Sequence, residues 1–282
     1  MHEHDLGLAH DLKVMSRRRM LLLVGAASVA AACAAETTPP SVSSSRAETS
    51  GAAATSSAAA PGDVAPAPAE TAGPYPGDGT NGPNVLLESG VLRSDIRPSF
   101  GPYSGAAQGV PMTLRLSLVD LVRGAPGAGM AVYLWQCDRE GRYSLYSDGV
   151  TEQNYLRGVQ VADASGNLGF TSVFPGCYAG RWPHLHFEVY DSLEVAVAGA
   201  NARLTSQIAL PKDACDAVYA ADSGYSQSIS NLSRISLDRD NVFGDGWTAE
   251  MATMGGTPAT TMTASLTIGV AAKSQVPGRP PR

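Results

Sequence analysis

The sequence predicts an all-β fold, a β-sandwich with long loops and at most short helices. Three observations carry the prediction: apolar and polar residues alternate with period two in several short runs, turns rich in Gly, Pro, Asp and Asn separate those runs, and the 3.6-residue helical period is nearly absent. Residues 112–119 (MTLRLSLV) alternate cleanly, as a half-buried strand does. The turn GAPGAG (124–129) leads into AVYLWQCD (131–138), and the turn DREG (138–141) into a short strand carrying Arg142, Tyr143 and Ser144. LRGVQVAD (156–163), the turn ASGN and LGFTSVF (168–174) predict a hairpin. The loop PGCYAGR (175–181) precedes a strand over His184–Tyr190, and RLTSQIAL (203–210) and residues 262–270 supply two more. KDACDAVYAADSGYS (212–226) predicts one short helix, and no internal repeat is present.

Composition divides the 282 residues into four parts. Residues 1–35 read as a twin-arginine export signal: Ser16-Arg17-Arg18-Arg19 is followed by an apolar run from Leu21 to Ala32 that ends in small residues and is too short to span a bilayer. Cys33 follows three alanines, and the sequence leaves open whether it is lipidated, the one route to a membrane, or whether cleavage near Ala35 removes it. Residues 36–71, rich in Ala, Ser, Thr and Pro, cannot bury enough surface to offset their ordering entropy and read as a disordered tether. One domain is expected over 72–272, with a flexible tail at 273–282. The formal charge is −6, residues 1–32 carry one net positive charge, and no basic block stands out, which argues against nucleic acid as a partner. Cys137, Cys177 and Cys215 make an odd set in an exported domain, so one disulfide and one free thiol are expected, with three pairings open.

Outside the N-terminus the chain has two histidines, His184 and His186 in RWPHLHFEVY. Strand alternation puts Leu185, Phe187 and Val189 on one face and both imidazoles on the other, their Cβ atoms about 6–7 Å apart, close enough to reach one metal. Zinc hydrolysis needs a third His or a spaced carboxylate, and cupin sites need a later His; serine hydrolysis needs a GxSxG elbow, and none of these is present. What is left is a site of two imidazoles and oxygen ligands, with Tyr143 and Tyr178 offered by nearby loops; phenols ionise near neutrality only against a strong Lewis acid.

WQCDREGRYSLY, then LRGVQVADASGNLGFTSVFPGCYAGRWPHLHF, then LTSQI, with AGPYP and LRSDI upstream, resembles the intradiol ring-cleavage dioxygenases, relatives of protocatechuate 3,4-dioxygenase and catechol 1,2-dioxygenase, and specifically their exported actinobacterial branch. The resemblance implies a β-sandwich holding one Fe(III) per domain, with Tyr143, Tyr178, His184 and His186 as ligands, Tyr178 and His186 axial and Tyr143 and His184 equatorial. It implies Arg181 as the active-site arginine, Tyr178 as the ligand that leaves when substrate binds, and Gln207 beside the substrate. The implied reaction takes a catechol-type diol and O₂ to a cis,cis-muconate. Two rival readings are a tethered module that binds metal or phenols without turnover, and the same fold using another metal for hydrolysis. Cys177 beside Tyr178 departs from the family pattern and exposes a candidate ligand to oxidation or cross-linking, and the oligomeric state is open.

Overall fold

A computed structural model describes residues 63–198 and 201–273. The expected export signal, Cys33 and the greater part of the expected tether lie outside the described residues, as does the expected tail beyond Lys273. The expected all-β sandwich is present. Its strands are β1 (Pro111–Asp120), β2 (Ala125–Pro126), β3 (Ala131–Trp135), β4 (Arg157–Val161), β5 (Asn167–Val173), β6 (His184–Tyr190), β7 (Leu204–Ala209), β8 (Thr253–Gly256) and β9 (Met262–Val270). Three short helices, α1 (Leu193–Val197), α2 (Lys212–Ala221) and α3 (Ser226–Leu232), lie in the connections. No helix among the described residues is long and apolar enough to cross a membrane.

One sheet has the order β4-β3-β6-β7, antiparallel throughout. In the other, β1 pairs in parallel with β9 on one side and antiparallel with β5 and β2 on the other, with β8 outside β9. The sheets face each other across one apolar core: Leu185, Phe187 and Val189 of β6 meet the layer built by Met112, Leu114 and Leu116 of β1. Each such side chain contributes about 1.5–3 kcal/mol on burial. Alternation along β6 therefore turns His184, His186 and Glu188 to the opposite face. That face is buried as well, because a second apolar cluster, including Val85, Leu86 and Phe100 from the N-terminal segment and Leu193 of α1, closes over it. All seven residues of β6 are consequently buried.

The structure corrects four expectations. Residues 156–174 are not a hairpin: β4 pairs with β3 and β5 with β1, so the ASGN turn carries the chain from one sheet to the other. Gly166 makes that crossing with φ +81°, where an added Cβ would stand 2.4 Å from the Leu118 carbonyl oxygen. Arg142, Tyr143 and Ser144 belong to an irregular loop rather than a strand, with a turn beginning at Ser144. The predicted single helix over 212–226 breaks at Asp222, whose side chain accepts from Gly224 N, and α1 and α3 were not anticipated. The packed domain also begins before Ala72: Ala67 is buried and donates its N–H to Gly269 O, and Glu70 N donates to Thr205 O. Backbone pairing orders this stretch in spite of its composition.

Candidate metal centre

The strand register assembles the site. Across the β4-β3-β6-β7 sheet, Arg157 lies opposite Trp135, Trp135 opposite His186 and His186 opposite Gln207, one rung on the face away from the sandwich core. Residues 71–76 run over this rung as a strap. Gln207 Nε2 donates to Thr71 O at 2.9 Å, and Gly73 (φ +71°) passes so close that a Cβ there would lie 3.3 Å from the His186 ring. Arg157 donates to Tyr75 O at 3.0 Å and Pro76 O at 2.7 Å. The His186 ring stacks on Trp135 at 5.0 Å, nearly parallel.

The two candidate tyrosines arrive from loops. Tyr143 sits in the β3–β4 loop, its N–H donating to Ser147 Oγ, two residues before Leu145, which adopts a left-handed φ of 72°. Such a backbone for a leucine costs on the order of 1–3 kcal/mol and recurs at functional loops. Tyr178 lies in the β5–β6 loop. Its neighbour Cys177 points the other way, into the main core, with its N–H donating to Ser228 Oγ and its Sγ–H to Arg181 O. The thiol is thus a core group that pins the loop, and burial pushes it up to about 12, against the expectation that it is exposed to oxidation. Cys137, Cys177 and Cys215 are all free and buried, so the expected disulfide is absent.

Four donor atoms converge. Tyr143 Oη lies 3.1 Å from His186 Nε2, 3.4 Å from His184 Nε2 and 3.5 Å from Tyr178 Oη. Tyr178 Oη lies 3.1 Å from His184 Nε2, and the two Nε2 atoms stand 3.0 Å apart. Donors bound to one ion at about 2.0–2.2 Å stand roughly 2.8–3.6 Å from their neighbours, so these spacings suit a shared ion. No hydrogen bond joins Tyr178 to His186, the pair that the resemblance makes axial. The donor set also has the right chemistry. Burial, and then the Arg181 charge, push His184 down to about 3, and burial, His184 and Arg181 hold His186 well below the ordinary range. Both imidazoles are therefore neutral and keep lone pairs for a metal. Nδ1 of His184 donates to Trp182 O, which leaves the lone pair on Nε2; Nδ1 of His186 is buried without a protein partner. Burial raises both phenols, Tyr178 to about 12 with Arg181 opposing, and Tyr143 well above its ordinary value. Neutral phenols beside neutral imidazoles make a site that a Lewis acid completes by displacing two protons. No group of three or more His, Cys, Asp or Glu gathers as a metal site among the described residues; the candidate site draws on phenol oxygens as well as imidazoles.

Arg181 stands at the edge of this cluster. Its Nε donates to Asp240 Oδ2 at 2.9 Å and an Nη to Gln207 Oε1 at 2.6 Å. Asp240, fully buried, also accepts from the N–H groups of Trp182, Val242 and Phe243. The structure thus brings all six sequence-predicted residues together. The sequence reading missed Asp240, Trp135 and Arg157. The register across β4, β3 and β6 would reveal the last two, but no local motif marks Asp240, 59 positions from its partner. A cavity of about 640 Å³ opens over the donors, with Tyr75 and Asn241 on its wall.

Residues 95–233 match the family model described as Dioxygenase. The fold is similar to an intradiol ring-cleavage dioxygenase from Tetranychus urticae, at 24% identity and TM-score 0.57 over 73% of this chain and 95% of that one. The dioxygenase domain of a dioxygenase–carbohydrate-binding fusion from Streptomyces sp. SirexAA-E matches at 19% identity and TM-score 0.46, covering 74% of this chain and 99% of that one. Catechol 1,2-dioxygenase from Pseudomonas arvilla C-1 matches at 19% identity and TM-score 0.40, covering 65% and 59%. No curated protein matches the chain.

Proposed function

We propose that this chain is an intradiol ring-cleaving dioxygenase, a reading supported by the match of residues 95–233 to the Dioxygenase family model. On this reading it cleaves a catechol-type diol between its two hydroxylated carbons, with O₂ and one Fe(III) held by Tyr143, Tyr178, His184 and His186, giving a cis,cis-muconate-type product. The observation that supports this reading is the convergence of two phenol oxygens and two imidazole nitrogens, with five of their six separations at 3.0–3.5 Å. Both oxygen atoms of O₂ enter the product as the carbon–carbon bond between the hydroxyls breaks. Ferric iron, when bound, supplies the Lewis acidity that ionises the phenols and the diol and the electron-accepting power that opens the ring to O₂.

The chain's own groups do the rest. Tyr178 Oη is the proton acceptor for an incoming diol hydroxyl: it sits on a loop and is less buried than Tyr143. Tyr143, fully enclosed and tied through Ser147, stays in place. Arg181 holds a fixed positive charge beside the donors, positioned by Asp240 and Gln207, and stabilises negative charge that develops on the ring and its oxygens. Trp135 and the strap pack against the His186 ring and hold its orientation.

The test combines metal and product. Iron-loaded protein should be red to burgundy with a visible tyrosinate-to-iron absorption band, His184→Ala or His186→Ala should lose the metal, and ¹⁸O₂ should label both carboxylates of a muconate. Colourless protein that takes up zinc alone, or cleavage outside the diol, would overturn the reading. Stable colour with catechol bound but no product would instead favour a binding module.

A further inference from the structure

We propose that the preferred diol carries an uncharged, apolar ring substituent, and that catechols bearing a carboxylate or an ammonium group are disfavoured. This rests on the ring-cleavage reading and adds the substrate class. Among the described side chains lining the cavity, Arg181 is the only charged one. Its charge is already met by buried Asp240, one Nη is taken by Gln207, which pairs with His186 on the same rung, and it lines the cavity together with Tyr143, Tyr178 and His186, which puts it at the donor end, where the diol binds. A substituent across the ring from the diol points away from the donors and meets other groups.

Those groups are neutral. Ala72, Pro74, Tyr75 and Trp135 supply apolar and aromatic surface, and the polar members Ser147 and Asn241 carry no charge. Nearby arginines are committed elsewhere: Arg157 is fully buried behind the wall on backbone carbonyls, and Arg142 is paired with Asp138 and Glu140. No carboxylate among the described residues lines the cavity, so a cationic substituent finds no partner there either. A charge brought into such a wall gives up hydration without compensation, whereas an alkyl or aryl group gains by burial. Space is ample: a cavity of roughly 150 Å³ already holds a benzene ring, against about 640 Å³ here. Tyr75, 37% exposed and in ring contact with Tyr143 at 5.2 Å and Tyr146 at 5.1 Å, offers an aromatic face near the opening.

The experiment titrates iron-loaded full-length protein calorimetrically with catechol, 4-tert-butylcatechol, protocatechuate and dopamine, and records oxygen uptake with each. The tert-butyl compound should bind at least as tightly as catechol, and the carboxylate and ammonium compounds about tenfold or more weakly. Asn241→Arg, which places a cation on the wall, should narrow the gap for protocatechuate and not for dopamine. Tighter binding of protocatechuate or dopamine than of catechol overturns the inference, as does an Asn241→Arg protein whose discrimination is unchanged. Absence of oxygen uptake with all four, alongside the expected affinity order, leaves this selectivity standing and sinks ring cleavage instead.

Discussion

Two carboxylates decide much of the chemistry at the scale of single residues. Burial pushes the Asp240 carboxyl up, but the Arg181 hydrogen bond and three backbone N–H groups more than offset this and hold it below the ordinary carboxylate range. It is therefore an ionised anchor for the arginine. Asp240→Asn should keep its iron and colour yet lose about 10–100-fold in kcat/KM, the usual loss when a supporting partner is removed; metal analysis beside steady-state kinetics checks this, and loss of iron would contradict it. Glu250 behaves oppositely. Burial first, and the nearby Glu70 charge second, push it from an ordinary 4.5 up to about 8. The folded protein keeps this proton where the unfolded chain has released it, so the stability it contributes is complete below about 4.5 and drains away as pH rises through about 8. Glu250→Gln should raise the melting temperature at pH 8.5 and change it little at pH 5, and thermal melts at the two values settle the sign.

At the scale of elements, the rung of Arg157, Trp135, His186 and Gln207 and the strap over it form one unit. Arg157 is fully buried with no carboxylate in ion-pair range among the described residues; Ser144, Tyr133 and the Tyr75 and Pro76 carbonyls satisfy its donors. Removing it strands several buried acceptors, each worth about 1–3 kcal/mol. Arg157→Met should therefore destabilise the domain by about 3 kcal/mol or more in chemical denaturation and make the strap a preferred site of proteolysis. A variant as stable and protease-resistant as the parent would show that the strap is held elsewhere. This unit was only partly visible beforehand. The HxH spacing on β6 exposes the two imidazoles and their common face, because period two is a local property. Which strands flank β6, and hence that Trp135 and Gln207 share its rung, depends on pairing that no run of residues specifies.

The whole molecule is a two-sheet sandwich whose four-stranded sheet is buried on both faces, one by the opposite sheet and one by the N-terminal segment. That double burial accounts for the thiols. Cys137, Cys177 and Cys215 are enclosed, and burial raises each one above its ordinary value. A fold held this way needs no cross-link among them. Native protein should leave all three unreactive toward a thiol reagent, and its melting temperature should not change with reductant. A reductant-sensitive melt would point to a disulfide formed outside this arrangement.

By itself the sequence determined the all-β class, the faces of β1 and β6, and the candidate donors Tyr143, Tyr178, His184 and His186 with Arg181 and Gln207. The class and the faces follow from alternation, and the donor set with Arg181 and Gln207 from the family resemblance that short motifs carry; both kinds of signal are local. The reading of residues 1–35 as an export signal rests on the same kind of local pattern. Only the tertiary structure decided that β4 and β5 part to different sheets, that Cys177 faces the core while Tyr178 faces the site, and that residues 66–71 lie on the sheets although their composition reads as a tether. It also supplied Asp240 for Arg181. The physical reason is common to all four: strand partners, buried ion pairs and backbone docking are set by which surfaces exclude water together, and that is fixed by contacts between residues far apart in the chain.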